Sequence, residues 1–318
     1  MQTYRRLIAM GLVLCAAQIA QSQQSTPPSR WTRDQIMSAT STVRAGRKLT
    51  PQQWPNGARV AVSLNFDVDN ETLSLSGGNT APVELSAGEF GATQGLPRVL
   101  ELLDRHSVPA SFFIPAVSAM LHPQMIQDIK KRPRHEIGVH GWIHENFQTL
   151  NNAAEEERLM NQAIEYMTEA IGKRPVGFRA PSWAFSQFTP GLIRKAGFLY
   201  DSSLMAMDEP YELLIDNQHT GIVELPVEWI LDDHPYFTRT GALPSPEMIF
   251  KVYRDEFDAA YEQRSMMILT MHPHVIGHRS RITHLDKFIA YMKSKPGVWF
   301  ATTEQIATYV KEAASKSK

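Results

Sequence analysis

Eight short apolar runs, most of them followed by a stretch of helical spacing, constrain this chain more than any other feature. RVAVSLNF (59–66), PASFFI (109–114), EIGV (136–139), VGF (176–178), FLY (198–200), GIVELPV (221–227), MMILTM (266–271) and VWFAT (298–302) read as strands. Between them GLPRVLELLDRH (95–106), residues 120–131, AAEEERLMNQAIEYMTEAIG (153–172), TPGLIRKAG (189–197), SPEMIFKVYRDEFDAAYEQR (245–264) and residues 281–294 space their apolar positions as helices do. A final helix starts at Thr303. Ser245 with Pro246 reads as a helix start and Gly172 as a helix stop. Strands alternating with helices give a mostly parallel sheet with helices outside. Seven or eight such strands in roughly 260 residues suit a barrel better than a small open sheet.

Composition narrows the partners. Hydrophobic residues make up 43% of the 318, enough for a large core. The formal net charge of −1 provides no basic field for nucleic acid or an anionic membrane. The partner expected is a small molecule or a neutral polymer. Residues 1–22 read as a secretory signal peptide: Arg5 and Arg6, an apolar stretch too short to span a bilayer, then Ala20-Gln21-Ser22 as a small-x-small cleavage site. Export to the periplasm or the medium follows, with no membrane span after cleavage. Cys15, the sole cysteine, leaves with it, so disulfides, cysteine nucleophiles and thiolate metal sites are excluded from the mature chain. Residues 23–56, polar and proline-bearing, read as a leader or surface wrap with a short helix around Thr32–Thr42, and residues 57–318 as the main domain.

The polar residues gather at strand ends. Asp67 and Asp69 close the first run, and His140 and His144 follow EIGV. Arg179 follows VGF, Asp201 follows FLY, and His272 follows MMILTM. In a parallel barrel these ends share one rim, where active sites are built. The three-residue gap of HGWIH (140–144) lets two imidazoles reach one metal, on a helical turn or a tight loop. Asp67 or Asp69, on one side of the strand at i and i+2, can supply a third ligand. Two imidazoles, one carboxylate and an open position form a catalytic zinc arrangement. His272 reads as an acid–base residue, with His274 and His278 as loop or surface residues. Arg179, followed by Ala180-Pro181, reads as a rim residue pairing with a carboxylate; Asp201 fits a helix cap or a partner behind the site. Glu71 stays open between a rim acid that contacts substrate and a solvated loop residue. Trp142, Trp183, Phe185, Tyr211 and Trp229 lie near these positions and could stack on a sugar, close a small pocket or pack the core.

Asp67-x-Asp69, HGWIH, RAPSW (179–183), YDSSL (200–204) and LTMHP (269–273) come in the order of five motifs, and over residues 55–310 the chain resembles the polysaccharide deacetylases, the NodB-homology family of carbohydrate esterases. The resemblance implies an α/β fold, a distorted (β/α) barrel with about seven strands. It implies Asp69, His140 and His144 as ligands of zinc or another divalent transition metal, Asp67 as general base paired with Arg179, His272 as general acid, and Asp201 as an orienting residue. The implied chemistry is metal-assisted amide hydrolysis, with the oxyanion also held by a rim backbone N–H near Trp183. One departure matters: Asp67-Val68-Asp69 replaces the adjacent aspartates usual in the family. That resembles a subgroup with allantoinase-like, cyclic-imide-hydrolysing and peptidoglycan-deacetylase-like members, some of them homo-oligomers.

Three readings follow. The first is an exported deacetylase of an N-acetylated glycan such as peptidoglycan or chitin-like oligomers, with Trp142, Trp183 and Glu71 as substrate contacts. The second is a hydrolase of small cyclic amides, and the third an inactive carbohydrate-binding barrel.

Overall fold

The computed structural model describes residues 27–238 and 244–316. The stretch read as a signal peptide, residues 1–22 with Cys15 and the cleavage site, therefore lies outside the described residues. Residues 27–39 belong to a small unit of their own, with a 3-10 turn at Pro28–Arg30 and most of the helix Arg33–Ser41.

The main unit, from Thr40 onward, carries ten strands. They are β1 (Val43–Lys48), β2 (Val60–Asp67), β3 (Ser111–Ile114), β4 (Glu136–Val139), β5 (Gly177–Phe178), β6 (Tyr200–Asp201), β7 (Tyr211–Ile215), β8 (Gln218–Glu224), β9 (Met266–Met271) and β10 (Val298–Phe300). All eight expected runs are strands, and every ladder among them is parallel. The figure of about seven is corrected to ten: β1 carries no apolar run, and β7, YELLI, is a buried hairpin arm that stands outside the strand–helix alternation. β1, VRAGRK, is a part-exposed edge strand in the stretch read as leader, and pairs antiparallel with β7. β7 turns into β8 through Asp216-Asn217, both at positive φ, the geometry of a tight hairpin.

The sheet runs β1-β7-β8-β6-β5-β4-β3-β2, with β9 and β10 both on β2. It is a half-barrel: among the described residues no ladder joins β8 to β9, and only an isolated bridge, Asp232↔Thr270, lies in that seam. β10 meets β2 at Val60–Val62 and β3 meets it at Asn65–Asp67, on the side of β2 away from β9. The wedge where β10 and β3 part is filled by polar groups. Asn65 Nδ2 donates to Ser63 Oγ at 2.8 Å and Thr303 Oγ1 at 3.1 Å, and Thr303 N donates to Ser111 Oγ at 2.8 Å.

β2 is buried along its whole length, as a parallel strand covered on both faces must be. Its alternation splits the core. Val60, Val62, Leu64 and Phe66 join the large cluster under the helices, whereas Ala61 joins a smaller one with Phe113, Tyr200 and Ile268. Ser63, Asn65 and Asp67 share the face of Ala61, so the barrel interior becomes polar toward the rim. Among the described residues no helix is long and apolar enough to cross a membrane.

Candidate active site

Asp67 is the last residue of β2, and Arg179 follows β5 directly. The buried guanidinium makes four hydrogen bonds: Nη1 to Asp67 Oδ1 (2.8 Å), Nη2 to Asn65 Oδ1 (2.7 Å) and Ser202 Oγ (2.8 Å), and Nε to Ser202 O (2.8 Å). It also stands 4.2 Å over the Phe113 ring. Burial alone would raise the Asp67 carboxyl, but Arg179 beside it, with His140 and His272, holds it below the usual carboxylate range. Asp67 is thereby a buried carboxylate at neutral pH.

Asp69 lies two residues on, with Oδ1 at 3.5 Å from His140 Nε2 and Oδ2 at 3.5 Å from His144 Nε2. The HGWIH segment is a tight loop, not a helical turn. The Glu145 carboxylate accepts from Trp142 N (3.0 Å) and Ile143 N (2.8 Å), and His144 is folded back at φ +63°. His140 Nδ1 is 2.8 Å from the Arg179 carbonyl oxygen. A carbonyl only accepts, so Nδ1 carries the hydrogen and Nε2 presents a lone pair. Burial lowers both imidazoles, His144 to about 4, so both are neutral at pH 7.

Lone pairs of two neutral imidazoles and a buried carboxylate thus converge, within 4.8 Å of one another. Asp69 Oδ1 is buried with no hydrogen-bond donor among the described residues. Acceptors facing acceptors in a buried site call for a cation, and the donor set fits a zinc-type ion. A second convergence, Asp232, Asp233 and His272, differs: its carboxylates already have protein donors. His272 Nδ1 is 2.7 Å from Asp233 Oδ1, His272 N donates to Asp233 Oδ2 (3.2 Å), and His234 N donates to Asp232 Oδ1 (2.8 Å).

His272 follows β9, and its Nε2 sits 3.6 Å from Asp69 Oδ2. Burial works against its proton, but Asp232 and Asp233, with Asp69 beyond, outweigh burial and raise it well above an ordinary histidine. Asp232 and Asp233 were missed in the sequence. The acid pair in ILDDHPYF was the available signal, but it follows β8 in a stretch with neither strand nor helix periodicity.

A cavity of about 160 Å³ joins these groups, lined by Asp67, Asp69, His140, His144, Trp183 and His272, with Leu73, Ser182, Trp229, Asp232 and His234 completing the wall. Trp229, half exposed, packs 4.4 Å from buried Trp183. Four expected residues do not line it, the first being Arg179, which stands behind Asp67. Trp142 turns its ring edge onto Tyr166. Glu71 is bound to His122 at 2.9 Å; Asn70, at φ +50°, reverses the chain after Asp69 and ends the strand alternation. Asp201 lies behind the site, accepting from Ser203 Oγ (2.9 Å), which accepts from Ala180 N (2.9 Å) beside Arg179.

Two further expectations need correction. The Trp183 N–H is engaged with the Ala180 carbonyl at 2.9 Å, so it is not a free oxyanion donor. His274 is no surface residue: both ring nitrogens are buried, and its ring lies 5.6 Å from that of His272.

A model of the polysaccharide deacetylase family matches residues 85–200. A peptidoglycan deacetylase of Helicobacter pylori is 31% identical over 278 residues, 78% of this chain and 94% of that protein. A Mycobacterium smegmatis protein described as a polysaccharide deacetylase superposes with a TM-score of 0.76 at 36% identity, over 86% of this chain and 96% of that one. PuuE allantoinase superposes at 0.73 with 25% identity, over 83% and 93%. Near full-length likeness at these identities, on the fold and the rim described above, places the chain in the polysaccharide deacetylase family, hydrolases of carbon–nitrogen bonds other than peptide bonds.

Proposed function

We propose that the protein is an exported, metal-dependent deacetylase that removes acetyl groups from an N-acetylated glycan of the peptidoglycan or chitin type. The observation that carries this reading is one small cavity with an ionised, Arg179-held carboxylate on one side and an Asp233-held imidazolium on the other. The cation-seeking triad Asp69, His140 and His144 lies between them. That is the equipment for hydrolysing an amide, whose nitrogen must be protonated before it leaves.

In this reading Asp69, His140 and His144 hold the metal, zinc by its donor set. A divalent ion held by these three residues would supply Lewis-acid polarisation of the carbonyl and a lower pKa for water. Asp67 Oδ1 is committed to Arg179, so Oδ2 takes a proton from water as its oxygen bonds to the carbonyl carbon. His272, with Nδ1 tied to Asp233, turns Nε2 toward the cavity and gives its proton to the nitrogen as the C–N bond breaks. Acetate and a free amine leave, and exchange with solvent restores Asp67 and His272. Asp201 positions Arg179 through Ser203 and Ala180.

About 160 Å³ is below the usual roughly 300–1,000 Å³ of pockets that engulf a whole ligand. It admits one acetamido group while the rest of a polymer lies across the mouth, where Trp183 and Trp229 offer an aromatic face. The Helicobacter relative and the sequence of residues 1–22 favour an extracytoplasmic glycan. The Asp-x-Asp spacing and the allantoinase likeness favour the second reading, hydrolysis of a small cyclic amide.

A substrate panel on the metal-loaded protein decides: acetate release from N-acetylglucosamine oligomers or glycan strands is expected. Turnover of hydantoin, succinimide or allantoin without acetate release would replace the first reading with the second. Glycan binding without hydrolysis of either class would leave a binding barrel.

Asp233→Asn is expected to lower kcat about 10²-fold and to move the alkaline limb of the pH profile to lower pH. The sign follows from the acid's role: His272 works protonated, and removing a carboxylate that favours the proton makes it dissociate earlier. An unmoved limb would show that His272 is not the acid.

A further inference from the structure

We infer that the protein has a second, anion-recognising pocket on the rim, formed by Phe90, Arg98, His278, Arg279 and Ser280, which takes a carboxylate carried by the polymer away from the reacting acetamido group. The inference rests on the glycan reading above and names what that glycan carries. The pocket, open to solvent where His278, Arg279 and Ser280 are exposed, offers about 420 Å³, inside the usual range for ligand sites of roughly 300–1,000 Å³.

Its chemistry is one-sided. No acidic side chain lines it, and among the described residues neither Arg98 nor Arg279 has a carboxylate within ion-pair distance. Arg98 is preorganised rather than free: Nη1 donates to the Gly277 carbonyl at 2.9 Å, and the guanidinium lies 5.5 Å from the Phe90 centroid. Arg98 lines the pocket, and its remaining N–H groups belong to a planar fork of the kind that carboxylates accept. Phe90 and His278 stack at 4.1 Å and 6° to make a flat floor. The helix Arg279–Ser294 begins here without a side-chain cap, adding the positive end of its dipole.

Topology puts this pocket on the active-site face. The helices Leu96–His106 and Arg279–Ser294 lead from the rim toward the next parallel strands, β3 and β10, so their first turns lie at the carboxyl ends of β2 and β9. The coupling to His272 is short. Gly95 sits so close to the loop after His272 that a Cβ there would lie 2.1 Å from the Pro273 carbonyl oxygen, and one on Gly91 would meet His274 at 2.9 Å. The π-helical turn Gly91–Gly95 therefore joins the pocket to the loop carrying the proposed acid. Peptidoglycan fits the arrangement, since its stem peptides and lactyl ethers place carboxylates beside the N-acetylated sugars, whereas chitin oligomers carry none.

The test compares peptide-bearing glycan fragments, the same fragments with their carboxylates amidated, and neutral N-acetylglucosamine oligomers, using Arg279→Glu and the double variant R98A/R279A. KM for the acidic fragments is expected to rise about tenfold with kcat unchanged, while KM for the amidated and neutral substrates stays within about twofold. Equal changes for all three substrates, or no change, would overturn the pocket. Equilibrium dialysis of the acidic fragments against wild type and Arg279→Glu reads the pocket without catalysis. Retention by wild type alone supports it even if no glycan is deacetylated, in which case only the proposed reaction fails; equal retention, or none, overturns it.

Discussion

Asp67→Asn is expected to cut kcat by about 10³-fold with the metal still bound, whereas Asp69→Asn loses metal and activity together. The two carboxylates sit two residues apart on one side of β2, but their surroundings differ. Asp67 spends one oxygen on Arg179 and is held ionised by it. Asp69 faces two neutral imidazoles and carries a buried oxygen without a donor. An amide at 67 keeps the bond to Arg179 but cannot take a proton. At 69 it replaces an anionic ligand by a neutral one and leaves two imidazoles to hold the ion. Metal content by mass spectrometry and steady-state rates on the two variants check this directly. The opposite pattern, metal lost at 67 and kept at 69, would exchange the two roles.

Arg179→Leu is expected to cost about 3–5 kcal/mol of stability, a fall in Tm of about 10 °C for a domain of this size, in addition to abolishing turnover. The large effect comes from what is left behind. Asp67 and the Ser202 carbonyl would stay buried without the donor that Arg179 gives them, and Asn65 Oδ1 would keep only a long contact with the Thr303 hydroxyl at 3.3 Å. Arg179→Lys keeps the charge but not the fork, so it is expected to recover part of the stability and little of the activity. Calorimetry with single-turnover rates on both variants tests the pair. A Leu variant melting within about 2 °C of wild type would show that the ion pair contributes nothing to the fold.

The parallel part of the sheet was legible because each buried strand is a continuous apolar run ending on a polar residue. Of the residues found by reading what followed each run, Asp67, Asp69, His140, His144 and His272 line a single cavity and Arg179 stands behind Asp67, a result that no one motif gives alone. The failures have physical causes of their own. β1 is the edge strand, part exposed and without an apolar run, and β7, YELLI, is a short buried run that pairs with it only as an antiparallel hairpin arm outside the strand–helix rhythm. Trp142 and Glu71 were placed by closeness in sequence, but a loop wound on Glu145 and a left-handed residue at Asn70 turn their side chains elsewhere. Asp233 was invisible for the converse reason. It comes from an irregular segment laid into the seam between β8 and β9, and only the pairing of Asp232 with Thr270 brings it under His272.

The polar wedge beneath Asp67 has a consequence for handling the protein. Thr303 is the first residue of the closing helix Thr303–Lys316, and its hydroxyl accepts from Asn65, which accepts from Arg179, which holds Asp67. The closing helix is therefore part of the foundation of the site and not an appendage. Any fusion partner, surface tether or trimming at the carboxyl end pulls on an element that is three hydrogen bonds from the carboxylate, so immobilisation is better directed to a surface loop remote from that helix.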